Sequence, residues 1–382
     1  MAPALLLPLL AGCEQRVARE EPTAPFVFRS LNLRQQDPQG RPAWQLTSPE
    51  ARYDLSRKVA QAQELRGTIF SGGKPLYRLS ATSGTVLNDG ALIQLEGMAT
   101  LERLGSQPVV VRARRVRWYP RQARMVLDQR PIATDRDLQI SADRAVFRID
   151  QDKLELRGGP AFTRRTAAAP ASAEIVLTAS SIDWYPTSGN LIAPGPIRAV
   201  RRLAAGKAPQ TLTAPSLRGN TLQQNLVLQA PVRFSDPAAK AVLQGGETTI
   251  ELTRQVVTSR YAFTGAIDKL KLAGHGFELL NRQKLAVITS ACRLQQPGET
   301  LTARRCQWNW SNQAIEARGG VVLRRQANDQ ITRARRLVGR IGANGLAVFT
   351  SPGSRVETRL RLPSGAQGQG SNAQADRPPI AL

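Results

Sequence analysis

The 382-residue sequence has a single histidine, three cysteines and only 5% aromatic residues. One histidine excludes multi-histidine metal centres and leaves His275 as the only histidine base for a serine or cysteine nucleophile. Its position between two glycines favours a structural or exposed role over catalysis. Three cysteines are too few for a zinc ribbon or a small disulfide scaffold. No glycine-rich phosphate loop or G-x-S-x-G motif is present, so the sequence predicts neither an enzyme nor a bound cofactor or metal.

Acidic residues are also scarce, with 29 aspartates and glutamates against 53 lysines and arginines, a net charge of +24. This excess favours an acidic partner such as nucleic acid, an anionic membrane or an anionic lipid. Many arginines, including Arg112, Arg114, Arg115 and Arg117, fall at outward strand positions, which fits either a solvated basic face or attraction to lipid headgroups. Aromatic platforms and recognition helices for nucleic-acid bases are not apparent, so we expect no nucleic-acid partner.

No hydrophobic run reaches the roughly 20 residues that a membrane-spanning helix needs. Residues 1–13 form a short apolar segment that we interpret as an export signal. Leu10-Ala11-Gly12-Cys13 resembles the lipobox of bacterial lipoproteins, in which the cysteine is acylated; the alternative is a chance cysteine after a truncated signal anchor. We expect residues 14–25 to be a tether that holds the rest of the chain outside the cytoplasm, anchored to the membrane.

Between residues 26 and 362 apolar residues alternate with polar ones, a pattern typical of β-strands that bury one face. Residues 49–66 have a helix-forming composition, but their alternating apolar positions favour a strand, a turn and a second strand. Residues 363–382 are rich in Gly, Gln, Ala and Pro and indicate a disordered tail. The sequence therefore predicts an all-β protein with one extended unit at 26–362.

A repeat runs through this unit in the frame apolar-x-small-x-x-apolar-x-bulky. In each copy the apolar residues occupy alternate positions, and just after the small residue they shift from odd to even positions or the reverse. This change of parity predicts a bulge or corner there. Each copy is thus a bent hairpin that buries its apolar face only by stacking, and about ten copies predict an elongated, open, two-sheet β-jellyroll. The copies at Gly245 and Gly274 fit the frame more loosely. The small anchors are Ser48, Ala81, Ala113, Ala142, Ala179, Ala214, Gly245, Gly274, Ala303 and Ala334.

The inward positions of these hairpins carry large apolar residues but also many small ones, so the interior is either a trough for acyl chains or a thin, sealed core. Cys292 and Cys306 have inward parity on neighbouring strands and form either a disulfide or two buried thiols. The candidate groove residues are Trp44, Tyr53, Trp118, Phe147, Trp184, Phe277 and Trp308.

The segment that begins Phe28-x-Ser30-x-x-Leu33 and continues through Trp44-x-Leu46 to Tyr53-Asp54 resembles the opening of the LptC family of lipopolysaccharide-export proteins. The later units are similar to the repeats of its relative LptA. The resemblance implies a β-jellyroll that takes lipopolysaccharide from an inner-membrane ABC transporter and passes it to the next jellyroll. The chain is longer than ordinary LptC proteins, as some cyanobacterial-type members are, and it has a lipobox-like anchor in place of the family's transmembrane helix.

The resemblance therefore implies a non-enzymatic periplasmic protein of the lipopolysaccharide export bridge. Its partners would be lipopolysaccharide, the permease subunits of the transporter and the next periplasmic jellyroll. Two alternatives stay open at this point: a structural envelope lipoprotein with a sealed interior, and a β-solenoid carbohydrate-active protein. The second alternative would need carboxylates along one inward stripe, and the sequence does not show them.

Overall fold

The computed structural model describes residues 26–105, 108–164, 175–202, 208–340 and 347–361. These residues form one antiparallel sheet of 31 strands, which confirms the all-β prediction. The predicted signal with Cys13, the tether at 14–25 and the tail at 363–382 lie outside the described residues, and the domain boundaries stay predictions. No helix within the described ranges is long and apolar enough to cross a membrane.

The strands follow one another along the chain and are joined mostly by tight turns. The first sixteen are β1 Phe26–Phe28, β2 Leu31–Gln36, β3 Pro42–Ser48, β4 Glu50–Asp54, β5 Val59–Ser71, β6 Lys74–Leu87, β7 Leu92–Arg103, β8 Val109–Tyr119, β9 Arg124–Asp128, β10 Ile132–Asp135, β11 Leu138–Ser141, β12 Arg144–Arg148, β13 Lys153–Arg157, β14 Ala161–Arg164, β15 Ile175–Thr178 and β16 Ser181–Trp184.

The second part of the sheet continues in the same manner. Its strands are β17 Asn190–Arg201, β18 Gln210–Asn220, β19 Asn225–Leu228, β20 Val232–Asp236, β21 Ala241–Gly245, β22 Thr248–Glu251, β23 Val256–Ile267, β24 Leu270–Leu280, β25 Leu285–Gln296, β26 Glu299–Ala303, β27 Arg305–Asn309, β28 Ala314–Arg325, β29 Gln330–Arg340, β30 Ala347–Thr350 and β31 Glu357–Arg359. Short 3₁₀ turns occur at Asn88–Gly90, Pro120–Gln122, Asn281–Gln283 and Ala327–Asp329.

Residues 49–66 form strand β4, a turn and the first part of β5, which confirms the strand interpretation over the helical one. Ala51 pairs with Ala62 and Tyr53 with Ala60 across this hairpin. The helix-forming composition of the segment is outweighed because alternate side chains find a buried face of the sheet.

Each small anchor marks a corner of the sheet, as the change of parity predicts. In β8 the residues before the anchor pair with β10, and from Arg115 onward the residues pair with β9. Opposite this point the register of β7 shifts between Glu96 and Ala99. At Ser48 the corner is instead a break, since β3 ends there and β4 begins at Glu50. The structure therefore confirms the stack of bent hairpins.

Glycine is required on several strands that return through a corner. Gly97 has φ +83° and Gly319 has φ +80°, in the left-handed region that L side chains avoid. A Cβ at Gly97 would also lie 2.6 Å from the Cβ of Thr82 on the neighbouring strand. The corner thus combines an unusual backbone conformation with a close approach of two strands.

The corners fold the single sheet into two layers. Layer A contains the strand segments that lead into each anchor and their partners, and layer B contains the segments that follow it. The indole rings of Trp44 in layer A and Trp118 in layer B meet edge to face with centroids 5.2 Å apart. Tyr77 in layer A meets Phe147 in layer B at the same centroid distance, 5.2 Å. These contacts show that the inward faces of the two layers pack on each other.

The interior contains two separate apolar clusters. The first closed core extends along the chain from Trp44 to Val232 and includes Trp118, Phe147 and Trp184, each at most 2% exposed. The second closed core is smaller and comprises Cys292, Leu301, Ala303, Cys306, Ile315, Ala317, Val321, Leu323 and Leu337.

A disulfide joins Cys292 and Cys306, whose Sγ atoms are 2.00 Å apart. Cys292 lies in layer A on β25 and Cys306 in layer B on β27, so the bond ties the two layers together beside the corner at Ala303. Both residues belong to the second closed core, which is otherwise built from small and medium side chains.

The outward face of layer B carries a network of cross-strand ion pairs. Asp128 lies 2.9 Å from the guanidinium of Arg117 and is also near Arg115 and Arg144. In the next strands Lys153 lies 2.8 Å from Asp183. Arg115 and Arg117 of the arginine cluster around residues 112–124 therefore form part of a charge-paired face.

Replacing Cys292 and Cys306 together by serine should lower the free energy of unfolding by about 3 kcal/mol, because the bond closes a loop with a sequence separation of 14 in the unfolded chain. The measurement is urea denaturation of the oxidised full chain and the double variant. Wild-type protein treated with a reductant serves as the control and should resemble the variant. Equal midpoints for the oxidised wild type and the variant would contradict the contribution of the bond.

The ion-pair network should make the free energy of unfolding depend on pH. Burial alone would raise the pKa of Asp183, but hydrogen bonds from Lys153 and Arg157 outweigh it and lower that pKa. The pKa of Glu155 is lowered in the same manner by Arg148 and Lys153. Carboxylates with a lowered folded-state pKa stabilise the fold above their unfolded pKa of about 4 and lose this effect as the pH falls through the folded value.

We therefore expect the Glu155→Gln/Asp183→Asn variant to be less stable than the wild type at pH 7, with the two free energies of unfolding converging as the pH approaches 3. Urea denaturation at a series of pH values measures this. The exposed Glu64 lies outside the network, and Glu64→Gln is the matched control. Parallel pH profiles for the double variant and the wild type would refute the role of the network.

Candidate functional site

The corners join the two layers along one side, so the opposite edge of the interior is bordered only by hairpin turns. We call this border the free edge. Along part of its length, polar side chains of layer A reach turns of layer B, and we call these contacts the latches. The latches are Tyr77 Oη donating to Asp152 Oδ1 at 2.5 Å, Arg103 Nε to Thr187 Oγ1 at 3.2 Å, Arg136 Nη2 to the Thr221 carbonyl at 2.6 Å, and Arg164 Nη1 to the Leu252 carbonyl at 2.7 Å.

The latches follow a regular offset along the chain. Their partners are separated by 75, 84, 85 and 88 residues in order. A hairpin turn of layer A therefore meets the turn of layer B that lies between two and three repeats further on. This displacement is expected for a sheet whose twist adds up from strand to strand before the layers meet.

The first latch combines a buried phenol with a shared carboxylate. Tyr77 is 2% exposed, and burial, followed by the hydrogen bond to Asp152, raises the pKa of its hydroxyl. The phenol therefore stays protonated and acts as a donor. The other carboxylate oxygen of Asp152 accepts the backbone N–H of Thr187 at 2.7 Å. One aspartate thus links a layer A strand to two turns of layer B.

The latches identified among the described residues lie between Tyr77 and Leu252, the same part of the chain that contains the first closed core. After this part the interior changes. Several inward apolar side chains between the two closed cores are only half-buried, although Phe263 beside them is buried, and we call the half-buried set the open segment. The open segment comprises Leu243, Ile250, Leu272, Phe277, Leu279 and Ile288.

The open segment has walls from both layers. Leu243 and Leu272 belong to layer A, and Ile250, Leu279 and Ile288 belong to layer B. Where the layers converge, Phe263 packs edge to face on Phe277 with centroids 5.2 Å apart. We call this half-buried apolar strip, with one wall from each layer, the trough; beside the corners it is filled by the buried Phe263.

The rim of this trough is basic. Lys240, Lys269, Lys271, Arg282 and Lys284 are exposed on or beside the hairpin turns of the two layers. Lys240 is paired with Asp268 at 3.2 Å, and the Arg282 guanidinium donates to the Thr253 carbonyl. The arrangement therefore combines apolar walls with cations at their edge, which suits an anionic amphiphile.

The described residues include no group of three His, Cys, Asp or Glu side chains placed to hold a metal ion. His275 is exposed on β24 at a corner, where its carbonyl accepts hydrogen bonds from Thr289 and Ser290.

The predicted groove residues fall into two sets. Trp44, Trp118, Phe147 and Trp184 are at most 8% exposed and belong to the first closed core. The other predicted residues, Tyr53, Phe277 and Trp308, are half-buried. The Tyr53 hydroxyl donates to Asp89 at 3.3 Å, and Trp308 packs on Trp310 with centroids 6.5 Å apart. Contact of these residues with lipid stays a prediction.

The sequence predicts Phe277 of the open segment as a groove residue, but it does not predict the aliphatic residues there. A signal for them was present, because the open segment coincides with the two copies that fit the repeat loosely, those anchored at Gly245 and Gly274. Glycine at these anchors and at Gly265 reduces the side-chain volume on the inward face of the sheet. At Gly265 there is no room for a larger residue, because a Cβ there would lie 2.4 Å from the Leu243 side chain. The loose fit to the repeat thus indicates the part of the chain in which the inward side chains are no longer fully buried.

The described geometry allows a comparison with known proteins. Residues 6–159 match the family model of LptC, described as lipopolysaccharide-assembly, LptC-related. Among solved structures, the chain is similar to LptH, the LptA-homologous periplasmic component of the lipopolysaccharide transport device of Pseudomonas aeruginosa, with 14% identity and a TM-score of 0.26. The similarity covers 35% of this chain and 92% of that chain. A comparison with curated proteins finds no match.

The family match covers the segment with the opening motif and the first corners. The residues after 159 continue the same bent hairpins through the six anchors from Ala179 to Ala334, so they extend one architecture instead of adding a different one. Residues 6–159 of the chain are therefore similar to the LptC-related family of lipopolysaccharide-assembly proteins.

Proposed function

We propose that the chain is a periplasmic component of the lipopolysaccharide export bridge that accepts lipopolysaccharide from an inner-membrane ABC transporter and passes it on. The observation that carries this proposal is the open segment, a half-buried apolar trough between two closed cores. The LptC match over residues 6–159 supports a role in lipopolysaccharide transport.

The trough would shield acyl chains from water while they move. Removing a methylene from water contributes about 0.8 kcal/mol, so even partial coverage of an acyl chain gives substantial binding. Leu243, Leu272 and Leu279 offer no hydrogen bonds that would fix one position along the trough. An acyl chain therefore slides along such walls at little cost, and the energy for directed movement would come from the ATPase of the transporter.

The two ends of the sheet supply surfaces for the neighbouring proteins. β1 pairs only with β4 and β2 only with β3 among the described strands, which leaves backbone donors and acceptors unpaired at this end. Phe26, Val27 and Phe28 of β1 are 44–62% exposed. Unpaired edge strands recruit further strands, so the transporter would dock at one end and the next periplasmic jellyroll at the other, near β30 and β31. Acylated Cys13 would hold the chain on the periplasmic side of the inner membrane.

A structural envelope lipoprotein is the second candidate, and the first closed core favours it. Trp118 and Trp184, each 1% exposed, present no surface to a lipid while the latches are formed. The half-buried open segment favours transport over this alternative, because a contiguous group of apolar side chains left partly in water is typical of a binding surface.

Photo-crosslinking distinguishes the two functions. A photoreactive amino acid at Phe277 or Leu279 should form adducts with lipopolysaccharide in cells, because both side chains line the open segment. The same amino acid at Glu278 is the matched control, since this residue lies between them on the opposite face of β24 and should give no adduct. Adducts are detected by immunoblotting for lipopolysaccharide.

Position 184 tests the closed core in the same experiment. With the latches formed, a probe at Trp184 should give adducts at least tenfold weaker than a probe at Phe277. Absence of adducts at positions 277 and 279, while a known bridge component forms them in parallel, would refute transport through the open segment.

The anchor is tested separately. Cys13→Ser should abolish incorporation of a labelled fatty acid and release the chain from the membrane fraction, because the thiol is the acceptor of the acyl group. Fatty-acid labelling and cell fractionation measure the two effects, and Cys292→Ser is the matched control that should keep both. Unchanged labelling and attachment in the Cys13 variant would exclude lipidation at this residue.

A further inference from the structure

A depression of about 610 Å³ lies beside the open segment, where three successive hairpin turns of layer A meet. We call it the basic depression. Lys269 and Lys271 border it on one side and Arg324 and Arg325 on the other, and residues 295–300 form its floor. Its volume is in the range of binding sites for small organic molecules.

The charges of the basic depression do not cancel. Of its two carboxylates, Glu299 is already engaged, because its Oε1 lies 2.6 Å from the Nε of Arg325 and its Oε2 accepts a hydrogen bond from Gln296 at 2.8 Å. Lys269, Lys271 and Arg324 form no ion pair among the described residues. These three cations face a single remaining carboxylate, Asp329, so the depression attracts anions.

The strand register places these groups in one row across the sheet. Lys271 pairs with Gln295, Gln295 with Thr300, and Thr300 with Arg324. Cross-strand partners project on the same face, so two cations border two neutral side chains that can hydrogen-bond. Three strand spacings, roughly 14 Å in total, separate the ends of the row, and the long side chains of Lys271 and Arg324 can reach inward from both ends to a group above the floor.

The same strand carries the apolar wall of the trough. Leu272 directly follows Lys271 on β24, and since side chains alternate between faces, the lysine points outward where the leucine points inward. A molecule with acyl chains against Leu272 would therefore cross the free edge and bring its polar end to the row that starts at Lys271.

We propose that the basic depression binds the phosphorylated sugar headgroup of the amphiphile whose acyl chains occupy the open segment. The inference rests on the proposed function and adds to it a site for the phosphate, with Lys271 and Arg324 as the main ligands and Gln295 and Thr300 as hydrogen-bonding partners. A guanidinium and an ammonium on opposite sides of a phosphate form charge-assisted hydrogen bonds, the strongest that such an exposed site offers.

The test is an equilibrium titration of the full chain with fluorescent lipopolysaccharide and with the same lipid after phosphatase treatment. The wild type should bind the phosphorylated form about tenfold more tightly, as one or two charge-assisted hydrogen bonds provide. K271Q/R324Q should bind both forms equally, with the affinity of the wild type for the dephosphorylated lipid. R112Q/R233Q is the matched control. It removes two exposed arginines of layer A that lie outside the basic depression and form no ion pair among the described residues, so it should keep the preference.

The outcomes separate the inference from the function on which it rests. Equal binding of both lipid forms by the wild type, or an unchanged preference in K271Q/R324Q, would overturn the headgroup site and leave the apolar trough standing. Binding of neither form by the wild type would overturn the proposed function itself. A further titration uses inorganic phosphate alone: if K271Q/R324Q weakens phosphate binding but not lipid binding, the depression serves free phosphate and the headgroup assignment is wrong.

Discussion

Backbone hydrogen bonding in one continuous sheet is the constraint on which the rest of the structure depends. Backbone groups of neighbouring strands must stay hydrogen-bonded to each other. A sheet that folds into two layers therefore has to bend all its strands at matching positions, so that each bend lies next to the bend of the neighbouring strand. A small anchor such as Ala113, followed by a change of side-chain parity, provides this turn, and Gly97 on the return strand provides the positive φ that the corner needs. Once the corners are aligned, the inward faces of the two layers oppose each other. Because apolar and polar side chains alternate along each strand, the space between these faces is apolar. The disulfide between Cys292 and Cys306 strengthens this join where the second closed core is small.

The corners close only one side, so the state of the free edge decides whether the interior is a core or a trough. Where latches such as Tyr77 to Asp152 and Arg136 to Thr221 cross the edge, large aromatic side chains fill the space and exclude water. Where the inward residues become leucine, isoleucine and glycine, the volume is too small to fill the interior, and the walls stay half-buried. One repeat therefore builds both a rigid scaffold and a binding surface, and the difference lies in the size of the inward side chains and in the polar residues at the turns.

Much of this architecture could be read from the sequence, because strand parity is a local signal. The change of parity after Ala113 and the inward placement of both Cys292 and Cys306 need no knowledge of distant contacts. The pairing of Tyr77 with Asp152 was beyond such reasoning, since the offset of 75 residues results from twist summed over many strands. The same limit applies to the predicted groove residues Trp118 and Trp184. Their inward direction was predictable, whereas their burial depends on which part of the opposite layer reaches them.

The positive charge has two different roles along the molecule. On the outward face of layer B, Arg117 and Lys153 are held by Asp128 and Asp183, so their contribution is internal and largely neutralised. At the turns of layer A near the open segment, Lys271 and Arg324 have no such partners among the described residues. Basic residues are thus free to bind an anionic group in the part of the molecule where the apolar walls are also partly exposed to solvent. A headgroup held at the rim would keep an amphiphile oriented while its acyl chains move. The apolar walls provide contacts without a preferred orientation, and the cations provide directional hydrogen bonds at one edge of the trough.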